Sequence, residues 1–332
     1  MANADLRMAV RRLRQSPTFT LVAVLSLALG IGVSTSVYAL TCTLFFAPPA
    51  GVDQPDRLVR ICRLRNGQPE GHELSYAEYV YYRDQATVFT EVASDNNVRL
   101  LTDPESGYPL LAAVVSPSYF SVLGLRPRAG RFFLPDEDTA TGHHEVAVLS
   151  HGLWQRRFAG DGRSIGGLLT LDGTAYTIVG VAPPGFEGSS AGWAPDVFVP
   201  PRAVFSEADL ANRKNEQLDL IGRLRPGRTV AEAHAEMTLL ASRLEQADPG
   251  TTRGGGLSVS KLRGLDPEAR SSEARLPALL VAASACLLTI ACVNLAGLLQ
   301  MRHAARRRLL SVRARARVVT PARRGRGRRP RR

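Results

Sequence analysis

An α+β domain carried between two membrane-spanning helices is the architecture this 332-residue sequence predicts. Two long uncharged apolar runs bracket the chain, arginine clusters sit just outside both runs, and the stretch between them alternates strand and helix signals. The first run, Thr18 to Phe46, holds no charge for about 29 residues, and the second, Leu276 to Met301, holds none for about 26. At 1.5 Å per helical residue each spans roughly 38 to 43 Å, more than the roughly 30 Å hydrocarbon core of a bilayer.

The formal net charge of +12 suggests an acidic partner until its location is read. Met1 to Thr18 carries Arg7, Arg11, Arg12 and Arg14 against Asp5, about +3, and Arg302 to Arg332 carries about fourteen Arg and no acid. Removing both excesses leaves the middle of the chain at about −5. Basic residues within about 15 to 20 positions of a span mark its cytoplasmic side. Both termini are therefore predicted inside the cell and the acidic middle outside, and two spans make the two assignments agree.

Taken in order, residues 1–17 read as a cytoplasmic interfacial helix. Leu6, Val10 and Leu13 fall on one face of Asp5 to Gln15, with Arg7, Arg11 and Arg14 on another, and Ser16-Pro17 breaks it. Residues 18–46 are the first span. A cleaved signal sequence also follows basic residues, but its apolar core is about 7 to 15 residues long; this run continues through Tyr38, Leu44 and Phe46. Ala28, Gly32 and Ser36 recur at the four-residue interval that permits close helix packing in lipid.

Residues 48–275 form the predicted outer domain. Arg57 to Arg63 reads as a strand, and Ser75 with Glu78 is a capping-box pattern opening a helix with Tyr76, Tyr79, Tyr81 and Tyr82. Leu110 to Ser116 is a strand, and Ser116-Pro117 opens a short helix stopped by Gly124. Glu145 to Leu149 is a strand, Ser150 an N-cap, and the helix after it runs through Trp154 to Phe158, ending near Gly160. Asp172-Gly173 between Leu168 to Leu171 and Thr174 to Val181 is a hairpin signal. Asp196 to Val199 and Leu218 to Leu224 are strands, the second closed by Pro226-Gly227. Thr229 and Glu232 cap the longest outer helix, whose Val230, Ala233, Met237, Leu240, Ala241 and Leu244 form a stripe expected to face a core. Leu257 to Leu262 is the last strand. This mixed order predicts α+β rather than a parallel doubly wound sheet.

Residues 276–301 are the second span, where Asn294 either faces a helix partner or bonds its own backbone. A buried core helix rarely runs so far without a charge. Cys42 falls in the first span, Cys286 and Cys292 in the second, and Cys62 is alone in the outer domain, so no disulfide forms within it.

Several segments then resemble one family in order. DLRMAVRRLRQSPTFTLVAVLSLALGIGVSTSVYAL (Asp5 to Leu40) and PDRLVRI (Pro55 to Ile61) look like the start of MacB/FtsX-type ABC transporter permeases, of the large type common in Acidobacteria. SPSYFSVLGLRPRAGRFF (Ser116 to Phe133), VAVLSHGLWQRRFAGD (Val146 to Asp161) and LTLDGTAYTIVGVAPPGF (Leu169 to Phe186) resemble the periplasmic core domain of that family. LLTIACVNLAGLLQMRHAARRRLLSVR (Leu287 to Arg313) resembles its second span and cytoplasmic exit. The resemblance implies an inner-membrane permease subunit for efflux or lipoprotein release, partnered by an ABC ATP-binding subunit whose ATP cycle moves the periplasmic domain. It also implies contact with membrane lipid and a permease dimer partner, with the substrate unspecified. Relatives continue with further spans, whereas 302–332 is a basic tail that turns after Arg313 to ARARVVTPARRGRGRRPRR. A shifted reading frame in GC-rich DNA gives such a run, and a truncated permease is the expectation; resequencing the locus tests it.

Chemistry of its own is not expected from this chain: catalytic, cofactor-binding and metal residues are all read as none. The phosphate-binding loop needs Gly-Lys, and Lys214 and Lys261 follow Arg213 and Ser260. His143, His144, Glu145 and His151 lack the spacing that puts two imidazoles on one helix face. Ser150-His151-Gly152 lacks the G-x-S-x-G nucleophile elbow. Asp136, Glu137 and Asp138 lack the twelve-residue calcium loop and read as a solvated acidic run. The arginine tail has no interleaved aromatics for base stacking, so no specific nucleic-acid partner is expected. The competing reading from another class is a membrane-anchored outer binding or scaffold module.

Overall fold

The computed structural model describes residues 17–65, 68–70, 74–105, 107–142, 144–190, 194–215, 217–248 and 256–264, with parts of 279–300. The predicted interfacial helix at Asp5 to Gln15, Asn294 and the tail from Arg302 lie outside the described residues. The chain divides into two compact units, one of Met1–Leu40 with Arg275–Arg332 and the other of Thr41–Ala274.

Helix α1, Pro17–Phe46, is apolar all round; it belongs to the first unit as far as Leu40 and to the second from Thr41. Leu21, Leu25, Leu29, Ile31 and Tyr38 are all more than half exposed, which is the surface of a helix made for lipid rather than water. Its Thr35 hydroxyl donates to the Ile31 carbonyl at 2.8 Å, satisfying a polar group without a partner from outside the helix. Among the described residues α1 holds the one stretch long and apolar enough to cross a membrane, Thr20–Thr43; the predicted second span contributes the shorter apolar helix Val281–Ile290.

The second unit is built on one mixed sheet. Its strands in chain order are β1 (Leu58–Arg65), β2 (Gln68–Glu70), β3 (Phe89–Thr102), β4 (Pro109–Val115), β5 (Ala129–Gly130), β6 (Val146–Leu149), β7 (Leu168–Leu171), β8 (Thr174–Val181), β9 (Val197–Val199), β10 (Leu218–Leu224) and β11 (Leu257–Lys261). The spatial order is β11-β1-β10-β3-β4-β9-β6-β8-β5, with β2 on β1 and β7 on β8. Only β4 with β9 and β6 with β8 run parallel. The helices are α2 (Tyr76–Gln85), α3 (Tyr119–Leu123), α4 (His151–Phe158), α5 (Glu207–Ala211) and α6 (Val230–Ala247).

Period-two alternation puts different residues of each strand into different cores. Val59, Ile61, Leu218 and Leu220 join one cluster with Tyr79 and Tyr82 of α2 and Met237 and Leu240 of α6. Leu58, Ala93, Ala113 and Ile221 join another with Tyr119, Phe120 and Leu123 of α3. The α6 stripe is thus a core face, as expected: Ala233, Met237, Leu240 and Leu244 are buried, with Val230 and Ala241 packed beside them.

Local signals translate closely into geometry. Ser75 and Glu78 close the capping box of α2, and Thr229 and Glu232 that of α6. Ser150 caps α4, and the Asp172-Gly173 turn takes φ values of 47° and 81°, as a two-residue hairpin with both central residues left-handed requires. One expectation shifts and one strand goes unanticipated. Helix α3 starts at Tyr119 with Ser118 at its cap, two residues later than the Ser-Pro signal implies, although Gly124 does end it. The long strand β3 carries no expectation from the sequence, and it contains the turn-favouring residues Asp95-Asn96-Asn97. The ladder to β4 absorbs that stretch in a register shift between Asp95 and Val98.

Candidate functional site

The most constructed region of the outer unit is the junction where its first and last described segments meet. Helix α1 ends at Phe46, and the next residue, Ala47, accepts from the backbone N–H of Gly264 at 2.8 Å. Leu262 donates to the Leu58 carbonyl at 3.0 Å, continuing the β11–β1 pairing toward that junction. The exposed carboxylate of Asp56 meets Lys261 at 3.0 Å and Arg263 at 2.7 Å, and the Lys261 hydrogen bond is the main cause of its lowered pKa. First and last segments of the unit are thereby stitched together by backbone and side chains.

Two arginines then bind the entry segment to the sheet. Arg57, in the turn Pro55–Arg57, donates to the Leu224 carbonyl from Nε at 2.9 Å and from Nη2 at 2.7 Å. Arg223 donates to the carbonyls of Val122 and Asp53, each at 2.7 Å, so one buried guanidinium ties β10, α3 and the entry loop. Burial and then the neighbouring Arg57 charge pull the Arg223 pKa down. Asp53 also donates its N–H to the Leu123 carbonyl at 3.1 Å.

Deeper, each sheet face carries a buried ion pair. Arg60 of β1 lies 3.6 Å from Asp219 of β10 and donates to the Ser190 hydroxyl at 2.6 Å, while Ser189 bonds Asp95 of β3. On the α2 face Arg63 meets Glu78 at 2.5 Å, and Glu78 also closes the α2 cap. A charge removed from water is tolerated only with such partners. The loop that receives Arg60 also lines a recess of about 150 Å³ with Ala47, Pro48, Pro49 and Gly264.

The residues weighed for chemistry do not converge. His143 lies outside the described residues; His144 Nδ1 sits 3.1 Å from the Glu137 carbonyl; Glu145 is exposed; His151 is the first residue of α4, against the Trp154 ring. Among the described residues no group of three or more His, Cys, Asp or Glu is arranged to hold a metal ion.

The acidic run is a correction. Asp136 is exposed, but Glu137 and Asp138 are buried. The turn Pro135–Asp138 folds Glu137 back on the Leu134 N–H at 2.7 Å and onto Arg131 at 2.6 and 3.0 Å. Asp138 accepts from the Tyr76 hydroxyl at 3.0 Å, and burial pushes its carboxyl up to about 6. Glu137 is held by near neighbours in the sequence, whereas Tyr76, the partner of Asp138, lies 62 residues away, so no local signal marks the burial of Asp138.

Comparison with known proteins follows the same outline. The family model of the MacB-like periplasmic core domain matches residues 20–240. A domain described as coming from a permease protein of Porphyromonas gingivalis aligns at TM-score 0.50 and 17% identity, over 69% of this chain and 99% of that one. The periplasmic region of MacB from Actinobacillus actinomycetemcomitans aligns at 0.45 and 12%, over 64% and 90%. The extracellular domain of the noncanonic ABC-type transporter YknZ from Gram-positive bacteria aligns at 0.45 and 11%, over 61% and 99%. No curated protein matches. With two thirds of its length inside that family model, this chain belongs to the family of the MacB-like periplasmic core domain.

Proposed function

We propose that the chain is a permease component of an ABC-type efflux or lipoprotein-release transporter, and that its outer domain, 48–275, is a mechanical element. The observation that carries this reading is the junction: the Gly264–Ala47 hydrogen bond and the Arg57 and Arg223 anchors join the end of α1 to the central sheet. A displacement of the α1 end is then passed to β1 and β10 rather than absorbed in a loose linker. Force transmission needs such stiffness and needs no catalytic group.

In this reading residues 18–46 and 276–301 cross the inner membrane, both termini are cytoplasmic, and 1–17 lies at the interface beside an ABC ATP-binding subunit. The chain itself is not an enzyme; ATP hydrolysis belongs to that subunit. Contact with lipid and pairing with a second permease copy follow from the same arrangement.

The test is co-purification of the tagged full chain with the ATP-binding subunit encoded beside it, followed by ATPase assay in nanodiscs. Stable association and a permease-dependent change in hydrolysis are expected. A chain that stays in the membrane but captures no such subunit fits the anchored binding module instead.

A further inference from the structure

A recess of about 450 Å³ in the outer unit shares no lining residue with the recess at the junction and has no part in the mechanical reading. Its volume is that of a small-molecule site, and Tyr79, Leu125, Phe132 and Phe133 supply an apolar, mostly aromatic wall. Phe132 is stacked on the buried Phe120, centroids 4.0 Å apart and 6° between planes, so this wall is pre-formed.

The polar groups of the lining differ in what they have left to give. Ser118 donates its hydroxyl to the Val92 carbonyl, Ser121 to Glu91 and Thr139 to the Asp136 carbonyl, so the hydroxyl protons are spent. Asp138 offers no acceptor to the recess: Oδ2 takes the Tyr76 hydroxyl and Oδ1 is buried. Arg83 is different. Its guanidinium lies 5.5 Å from the centroid of the Tyr79 ring, at the aromatic wall, and only its Nε is held, by Asp84 at 2.8 Å. A planar guanidinium has five N–H donors, so those on its two terminal nitrogens remain for an acceptor. Charge narrows the choice. Arg83 opposes a cation in the recess, and Glu91, an exposed carboxylate of the same lining, opposes an anion. Asp138 behind the wall is faced by Arg202. The lining therefore favours an uncharged ligand that accepts hydrogen bonds.

We propose that this recess binds a small uncharged molecule with an aromatic body and a carbonyl acceptor, the body against Tyr79, Phe132 and Phe133 and the carbonyl oxygen receiving the terminal N–H groups of Arg83. A carboxylate of the same shape can reach the same donors but meets Glu91, and an ammonium has nothing to offer Arg83.

The experiment is calorimetric titration of the full chain in nanodiscs with 4-phenylbutanamide, against 4-phenylbutyrate and 4-phenylbutylamine as the shape-matched anion and cation, with empty nanodiscs as the blank for partition into lipid. Saturable one-to-one binding of the amide is expected, at least tenfold tighter than either charged probe. Arg83→Met keeps the side-chain stem over Tyr79 but removes the donors, and should weaken amide binding at least tenfold. Glu91→Gln should raise the affinity for 4-phenylbutyrate severalfold, because it removes the repelling carboxylate. Ser121→Trp, which fills the recess from an exposed position, should abolish binding, and His151→Ala, in a separate recess, should leave it unchanged. A charged probe that binds as tightly as the amide, no saturable amide binding, or amide binding that survives Arg83→Met or Ser121→Trp overturns the proposal. Should Ser121→Trp fail to fold, Arg83→Met, at a side chain 42% exposed, still decides it. The permease reading stands or falls separately, on the ATP-binding subunit.

Discussion

Gly264 donates its backbone N–H to the carbonyl of Ala47 across 2.8 Å, with Gly264 at a φ of 53°. The first and last described segments of the outer unit are thus hydrogen-bonded neighbours, with Gly264 in a conformation that L side chains enter at a cost of about 1–2 kcal/mol. Gly264→Val is expected to open the junction and Gly264→Asn to disturb it less, since Asn tolerates the left-handed region better. Amide exchange at Leu262, which donates to the Leu58 carbonyl next to the junction, reads this directly. Unchanged exchange in the Val variant would show that the junction is held by something else.

The Arg63–Glu78 pair is almost fully buried at both ends. Glu78→Ala strands a guanidinium in the core and removes the α2 cap, so a loss of about 3–5 kcal/mol is expected. Arg63→Met combined with Glu78→Leu should cost less than Glu78→Ala alone, because no charge is then left unpaired. Denaturant titration of the three variants is the check, and a double variant worse than the single one would contradict the argument.

Met237 on α6 is fully buried in the core cluster, whereas Leu239 on the same helix is 51% exposed. Met237→Ala is expected to destabilise by about 2–4 kcal/mol and Leu239→Ala by less than about 0.5 kcal/mol. Similar melting shifts for both would mean that the Leu239 face is covered in the assembled protein.

Burial holds the Asp138 carboxyl at about 6, above the ordinary carboxylate range, despite the Tyr76 hydroxyl and the Arg202 charge. Between about pH 4 and 6 the unfolded chain has already lost this proton while the folded chain keeps it, so the group's contribution to stability falls as pH rises. Asp138→Asn removes that loss. The stability of the variant relative to the parent should therefore grow from pH 4 to pH 7, by on the order of 1–3 kcal/mol. A difference that stays flat with pH would rule this out.

Much of the outer domain was legible because its signals are local. Ser75-to-Glu78 and Thr229-to-Glu232 cap helices wherever they occur, and Asp172-Gly173 turns a hairpin from its own backbone preferences. What sequence reasoning missed is non-local. Strand β3 runs through the turn-favouring Asp95-Asn96-Asn97, and its pairing with β4 and β10 is a long-range event that no local signal announces. Arg60 gave no sign that it would meet Asp219, because nothing local specifies that β1 and β10 become neighbours.

By itself the sequence determined the apolar first helix, the capped helices, most strands, the family resemblance and the absence of a phosphate-binding loop, since each rests on composition or on residues a few positions apart. Tertiary structure alone decided the strand order, the Ala47–Gly264 closure and the burial of Glu137 and Asp138. The physical reason is that a charge's environment is set by whatever the fold brings against it. For Asp138 that is Tyr76 and Arg202, both far away along the chain.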